Sequence, residues 1–235
     1  MFDRDLDGVF VGRHKYLVLV PDNPIDFAGR SYNIGSYSMT LRDLGNGTLG
    51  FVIGAQNIGG RLIAQPFNNA DYQATREFYN PGQFTSFWSP DFSATSSLCS
   101  PNTNAPPRSD TQIIEDIIAA VQNYATTEAS LNIRYPSATQ QLQEGNGYVN
   151  SNSWAHTIID FVGLDVARGD DWPGADALSG NRLNHGYLSA GAINQLDAHN
   201  VDTDGDGILD NIDNDDDGDG TIDTTDADRR DGSVQ

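Results

Sequence analysis

Apolar and polar positions divide this chain into a patterned body and an unpatterned tail. Lys15-Tyr16-Leu17-Val18-Leu19-Val20 is a nearly continuous apolar run stopped by Pro21, which predicts a buried strand. Ser31 to Arg42 alternates, with Tyr32, Ile34, Tyr37, Met39 and Leu41 apolar. Thr48 to Gly54 places Leu49, Phe51 and Ile53 on one face. Gly59-Gly60 then predicts a tight hairpin turn into Arg61-Leu62-Ile63-Ala64. These short runs predict a meandering antiparallel sheet.

The pattern changes after residue 108. Ser109-x-x-Gln112 is a capping box. Ile113, Ile114, Ile117, Ile118 and Val121 follow at helical spacing, and Tyr135-Pro136 closes the segment. A second, shorter helix is expected from about Asn152 to Phe161, with Trp154, Ile158 and Ile159 toward the core and Gly163 as its stop. Between sheet and helices, residues 65–108 carry no clear period but hold eight aromatics from Phe67 to Phe92. They predict a long loop, pinned to the core by its rings or opened as a ligand groove. The expected class is α+β: an antiparallel sheet packed by two helices over residues 1–196, with an appendage over 197–235.

Charge sharpens the boundary. The chain carries a net charge of -20, and its hydrophobic share is only 37%. Residues 197–235 hold 14 Asp and 2 Arg, so the tail is strongly acidic and the body mildly so. Such a surface repels nucleic acid and anionic lipid, and neither is expected as a partner. No apolar run reaches the roughly 18 residues of a membrane span, so no insertion is expected. The sole cysteine, Cys99, excludes an intramolecular disulfide. Met1-Phe2-Asp3-Arg4-Asp5 is too acidic for a signal peptide, so an exported protein would leave by another route or belong to a longer parent.

The tail contains one pattern twice, D-x-D-x-D-G-x-x-D-x-x-D. The first window is Asp202, Asp204, Asp206, Gly207, Asp210 and Asp213; the second is Asp215, Asp217, Asp219, Gly220, Asp223 and Asp226. Carboxylates at alternate positions converge when the chain turns sharply, and the glycine permits the turn. Ile208 and Thr221 can add backbone carbonyls. Six or more hard oxygens around one point suit Ca²⁺. With Asp in place of Glu at the last position, bidentate closure is less assured and binding is expected to be weak. The windows lack long flanking helices and closely resemble thrombospondin type 3 repeats, which implies a secreted bacterial calcium-binding protein. Asp3, Asp5, Asp7 and Gly8 begin the same pattern, but Val11 and His14 break it.

One constellation in the body suggests chemistry. Asn150-Ser151-Asn152-Ser153-Trp154 begins the second predicted helix, and His14 begins the first buried strand. That order resembles circularly permuted papain-like hydrolases, whose nucleophile segment reads Asn-Cys-x-x-aromatic. Ser151 stands here where the cysteine would be. The resemblance implies an amide or ester hydrolase, with a peptide, amide or ester substrate, Ser151 as nucleophile and His14 as base. Gln56 or Asn57 would orient the imidazole. A helix N-terminus offers N–H groups to a developing oxyanion. Serine ionises far less readily than cysteine, so the alternative is a pseudoenzyme: a non-catalytic extracellular binding or spacer protein. His156 and Asp160 are spaced as a surface pair on one helix. His185 and His199 lack ligand spacing, and zinc is not expected.

Overall fold

The computed structural model describes the backbone of residues 2–5, 13–80, 92–94, 98–99, 109–137, 149–162, 165–166, 204, 215 and 217–222. Ten strands and three helices lie within these residues. The strands are β1 (Phe2–Asp5), β2 (Arg13–Leu19), β3 (Ser31–Ile34), β4 (Tyr37–Thr40), β5 (Arg42–Gly45), β6 (Thr48–Ile58), β7 (Arg61–Pro66), β8 (Phe92–Ala94), β9 (Leu98–Cys99) and β10 (Asp165–Val166). The helices are α1 (Asn69–Tyr79), α2 (Asp110–Leu131) and α3 (Ser151–Phe161). The protein is α+β, and the described strands pair antiparallel.

The main sheet runs β5-β6-β2-β1-β8, with β7 also on β6. The length of β6 allows this branching. Its first residues pair with β5, its middle with β2, and Ile53 to Ile58 with β7. The β6–β7 hairpin turns at Gly59 (φ 61°) and Gly60 (φ 80°), as the Gly-Gly pair predicts. β3 and β4 form a separate hairpin.

Strand alternation sends side chains to two helical layers. Leu17 and Leu19 of β2 and Phe51, Ile53 and Ala55 of β6 point to one side. There they join Ile117, Val121 and Tyr124 of α2 and Trp154, Ile158 and Ile159 of α3 in the larger core. Tyr16 and Val52 point the other way and meet Leu44, Tyr72, Phe78 and Tyr79. The sheet is therefore covered by α2 and α3 on one face and by α1 on the other.

The ends of α2 follow from local chemistry. Ser109 Oγ accepts the Gln112 N–H at 3.2 Å, and Gln112 Oε1 accepts the Ser109 N–H at 2.8 Å, the reciprocal capping box. The helix ends earlier than Tyr135-Pro136 suggests, because Asn132 takes a left-handed conformation (φ 46°). The expected stop of α3 at Gly163 lies outside the described residues.

The expectation of two helices is corrected to three. The start of the segment expected to be a loop forms α1, with Asn68 Oδ1 accepting the Ala70 N–H at 3.0 Å as its cap. Phe67, Tyr72, Phe78 and Tyr79 pack against the smaller core, so these four rings pin the segment down. The remaining aromatics of that stretch lie outside the described side chains.

Candidate functional sites

His14 opens the buried part of β2 and is 2% exposed. It shares a sheet face with Tyr16, and the two rings stack at 6.0 Å. The same face of β6 carries Gly54 and Gln56, and α1 brings Asp71 over them. His14 Nε2 lies 3.2 Å from Asp71 Oδ2 and 3.0 Å from Gln56 Nε2. Gln56 Nε2 donates to Asp71 Oδ2 at 2.7 Å. Asp71 itself is fully buried.

Gly54 makes this cluster possible. A Cβ on Gly54 would stand 2.6 Å from Asp71 Oδ2 and 3.2 Å from both Gln56 Nε2 and His14 Nε2. The space a side chain would fill is taken by three polar groups instead. Thr75, one turn along α1, donates to the Asp71 carbonyl at 2.8 Å and fixes the helix at this point.

Of the two groups expected to orient the imidazole, Gln56 is in place and Asn57 is not. Asn57 follows Gln56 by one residue, so alternation turns it to the opposite face. Its Oδ1 accepts the Gly60 N–H at 3.0 Å and braces the hairpin turn. The sequence reading missed Asp71, which sits in the segment taken for a loop.

Ser151 is the first residue of α3 and is 2% exposed. Asn150, not Ser151, caps the helix: its Oδ1 accepts the N–H groups of Asn152 at 2.9 Å and Ser153 at 3.2 Å. The side chain of Asn152 reaches β2, where its Oδ1 accepts the Lys15 N–H at 2.7 Å. This bond lies one residue from His14 on one side and one residue from Ser151 on the other. The two side chains are nevertheless presented differently. His14 projects toward α1, whereas α3 packs on the face of Leu17 and Lys15. The hydrogen bonds of the His14 ring go to Gln56 and Asp71, and among the described residues none goes to Ser151.

His156 does not stand on an open surface. Its Nε2 lies 3.1 Å from Lys15 Nζ, across the junction of β2 and α3. The side chain of Asp160, its expected partner, lies outside the described residues, as do His185 and His199.

In the tail, Asp204, Asp215 and residues 217–222 are described. Carboxylate oxygens of Asp215, Asp217 and Asp219 lie within 4.8 Å of one another. Backbone N–H groups brace them: Asp219 donates to Asp217 Oδ1 at 3.1 Å, Gly220 to Asp215 Oδ2 at 3.0 Å, and Thr221 to Asp219 Oδ1 at 2.6 Å. The other oxygens, Asp215 Oδ1, Asp217 Oδ2 and Asp219 Oδ2, are buried. Gly220 has φ 93°, the left-handed turn that its place in the pattern requires. Gly218 also turns left-handed, and a Cβ there would meet Asp204 Oδ2 at 2.7 Å, so Asp204 of the first window lies against the second. This donor set is all oxygen and anionic, which fits a hard divalent cation. The positions Asp202, Asp206, Ile208, Asp210, Asp213, Asp223 and Asp226 lie outside the described residues. Asp3 and Asp5 sit on the extended strand β1, not in a loop.

No helix among the described residues is long and apolar enough to cross a membrane. No known protein family, characterised protein or solved structure matches this chain.

Proposed function

We propose that this is an extracellular calcium-binding protein whose Asp-rich tail, built like thrombospondin type 3 repeats, folds around Ca²⁺. One observation carries the proposal: the oxygens of Asp215, Asp217 and Asp219 converge within 4.8 Å around a left-handed glycine. Three carboxylates held together repel one another, so the loop is stable only when a cation neutralises them. Calcium added to the chain should change its circular dichroism, and magnesium should do so poorly, because Mg²⁺ demands tight octahedral geometry. Asp219→Ala should weaken the second window, and Asp206→Ala the first. Equal responses to both cations would count against a calcium loop.

A second reading concerns the body, and the bond from Lys15 N to Asn152 Oδ1 favours it. That bond brings the start of α3 to the strand residue next to His14, which supports a permuted papain-like hydrolase acting on an amide or ester, although the His14 ring itself faces α1. In this reading Ser151 is the nucleophile and His14 the base. The rival is a non-catalytic binding or spacer body, which fits the projection of His14 toward α1. Ser151→Cys separates them. A thiol beside a basic imidazole and a helix N-terminus reacts with iodoacetamide far faster than an ordinary one, and His14→Ala removes the advantage. Equal alkylation rates with and without His14 decide for the non-catalytic body.

A further inference from the structure

Asp71 Oδ2 is the hub of the cluster over Gly54. It lies 2.7 Å from Gln56 Nε2 and 3.2 Å from His14 Nε2, and these two nitrogens are 3.0 Å apart. A carboxylate oxygen accepts and an amide nitrogen donates, whereas an imidazole nitrogen does either. In one proton arrangement, Gln56 and His14 both donate to Asp71 Oδ2, and the contact between the two nitrogens carries no bond. In the other, Gln56 donates its second proton to a bare His14 Nε2. That sets an imidazole lone pair against a carboxylate oxygen at 3.2 Å. Asp71 and His14 are 0% and 2% exposed, so little water is present to relieve the repulsion.

We propose that Asp71 is the positioning residue for His14. It holds the imidazole as the Nε2–H tautomer and leaves Nδ1 as the basic nitrogen. Gln56 serves Asp71 and not His14, which reverses the role its position in the sequence suggests. The inference rests on the hydrolase reading of the body, because a general base needs one bare nitrogen of fixed identity. Asp71 acts only through His14. Tyr16 stacks on the same ring, and Lys15, the adjacent cation on β2, turns to the α3 face, where its Nζ meets His156.

The test is the ¹⁵N spectrum of the histidine rings in the full chain, labelled on histidine and recorded at about pH 8, above the ordinary imidazole range. A His14→Gln sample identifies the His14 signals. The expected result is a protonated Nε2 and a bare Nδ1. Asp71→Ala, where it folds, should switch His14 to the Nδ1–H form, since Gln56 then becomes the donor to Nε2. A bare Nε2 in the wild type overturns the inference, and the wild-type spectrum decides this whether or not the variant folds. An unchanged tautomer in folded Asp71→Ala overturns it as well, because Asp71 would then be structural only. The expected tautomers together with an unreactive thiol in Ser151→Cys would sink the hydrolase reading and leave Asp71 as the group that fixes His14.

Discussion

A single methyl group added at Gly54 is expected to cost about 2–5 kcal/mol of stability, as the sum of three effects. The new Cβ would stand 2.6 Å from Asp71 Oδ2, well inside contact distance, with Gln56 and His14 Nε2 each at 3.2 Å. Overpacking of this kind costs about 1–3 kcal/mol. Relief requires Asp71 to move, and Asp71 is held by two nitrogens and by the fixed backbone of α1. Each hydrogen bond it loses is to a charged group, worth about 1.5–3 kcal/mol. Alanine returns about 0.4–1 kcal/mol by restricting the unfolded chain. Urea titrations of wild type and Gly54→Ala give the difference directly. Gly59→Ala is the control: φ is 61° and no atom lies within 4 Å of its Cβ, so it carries only backbone strain, about 1–2 kcal/mol. Gly54→Ala within about 0.5 kcal/mol of wild type would mean that the cluster yields to the methyl group without cost, since that is the range of substitutions that touch nothing.

Two further outcomes follow from the larger core. The Tyr124 hydroxyl is buried and donates to the Leu62 carbonyl at 2.7 Å, tying α2 to β7, so Tyr124→Phe should lose about 1–3 kcal/mol in the same titration, and a neutral result would mean that water satisfies Leu62. Burial holds the Glu128 carboxyl above its usual range, against opposing help from the Ala64 N–H and Arg61. The folded protein therefore binds that proton more tightly than the unfolded chain, so its contribution is full at acid pH and fades as pH rises through and past the ordinary carboxylate range. The stability of Glu128→Gln relative to wild type should accordingly improve between about pH 4 and 7, and a pH-independent difference would contradict this.

Much of the body was legible in the sequence because its chemistry is local. The Gly59-Gly60 turn, the Ser109–Gln112 capping box and the isoleucine stripe of α2 each announce their element within a few residues. α1 was not legible for a reason the structure makes plain. Its buried residues are Asp71, Ala74 and Thr75, and the rings that reach the smaller core, Tyr72, Phe78 and Tyr79, are only partly buried, so no run of aliphatic residues marks its inner face. The partners of Asp71 and Thr75 are themselves polar, His14, Gln56 and the Tyr16 hydroxyl, while the rings of α1 meet Leu44 and Val52 beside them. Polar and aromatic positions mixed on one face leave no clean hydrophobic period, and the functional candidate Asp71 was hidden with its helix. Asn68, a good cap residue, was the one local signal. The choice between Gln56 and Asn57 was open to strand alternation, since Gln56 shares parity with Val52 and Gly54. The convergence of Asp215, Asp217 and Asp219 was readable from spacing alone, because alternate Asp residues and a glycine define a loop without help from distant residues.

Calcium binding by the tail is measured by isothermal titration of Ca²⁺ into the full chain. Heat from about two sites is expected, with dissociation constants of roughly 10⁻⁴–10⁻³ M, as in extracellular modules of this kind. Asp219→Ala should remove about half of that heat, the share of one of the two sites. No heat and no change in circular dichroism at calcium concentrations well above that range, about 10⁻² M, would contradict calcium binding by the tail.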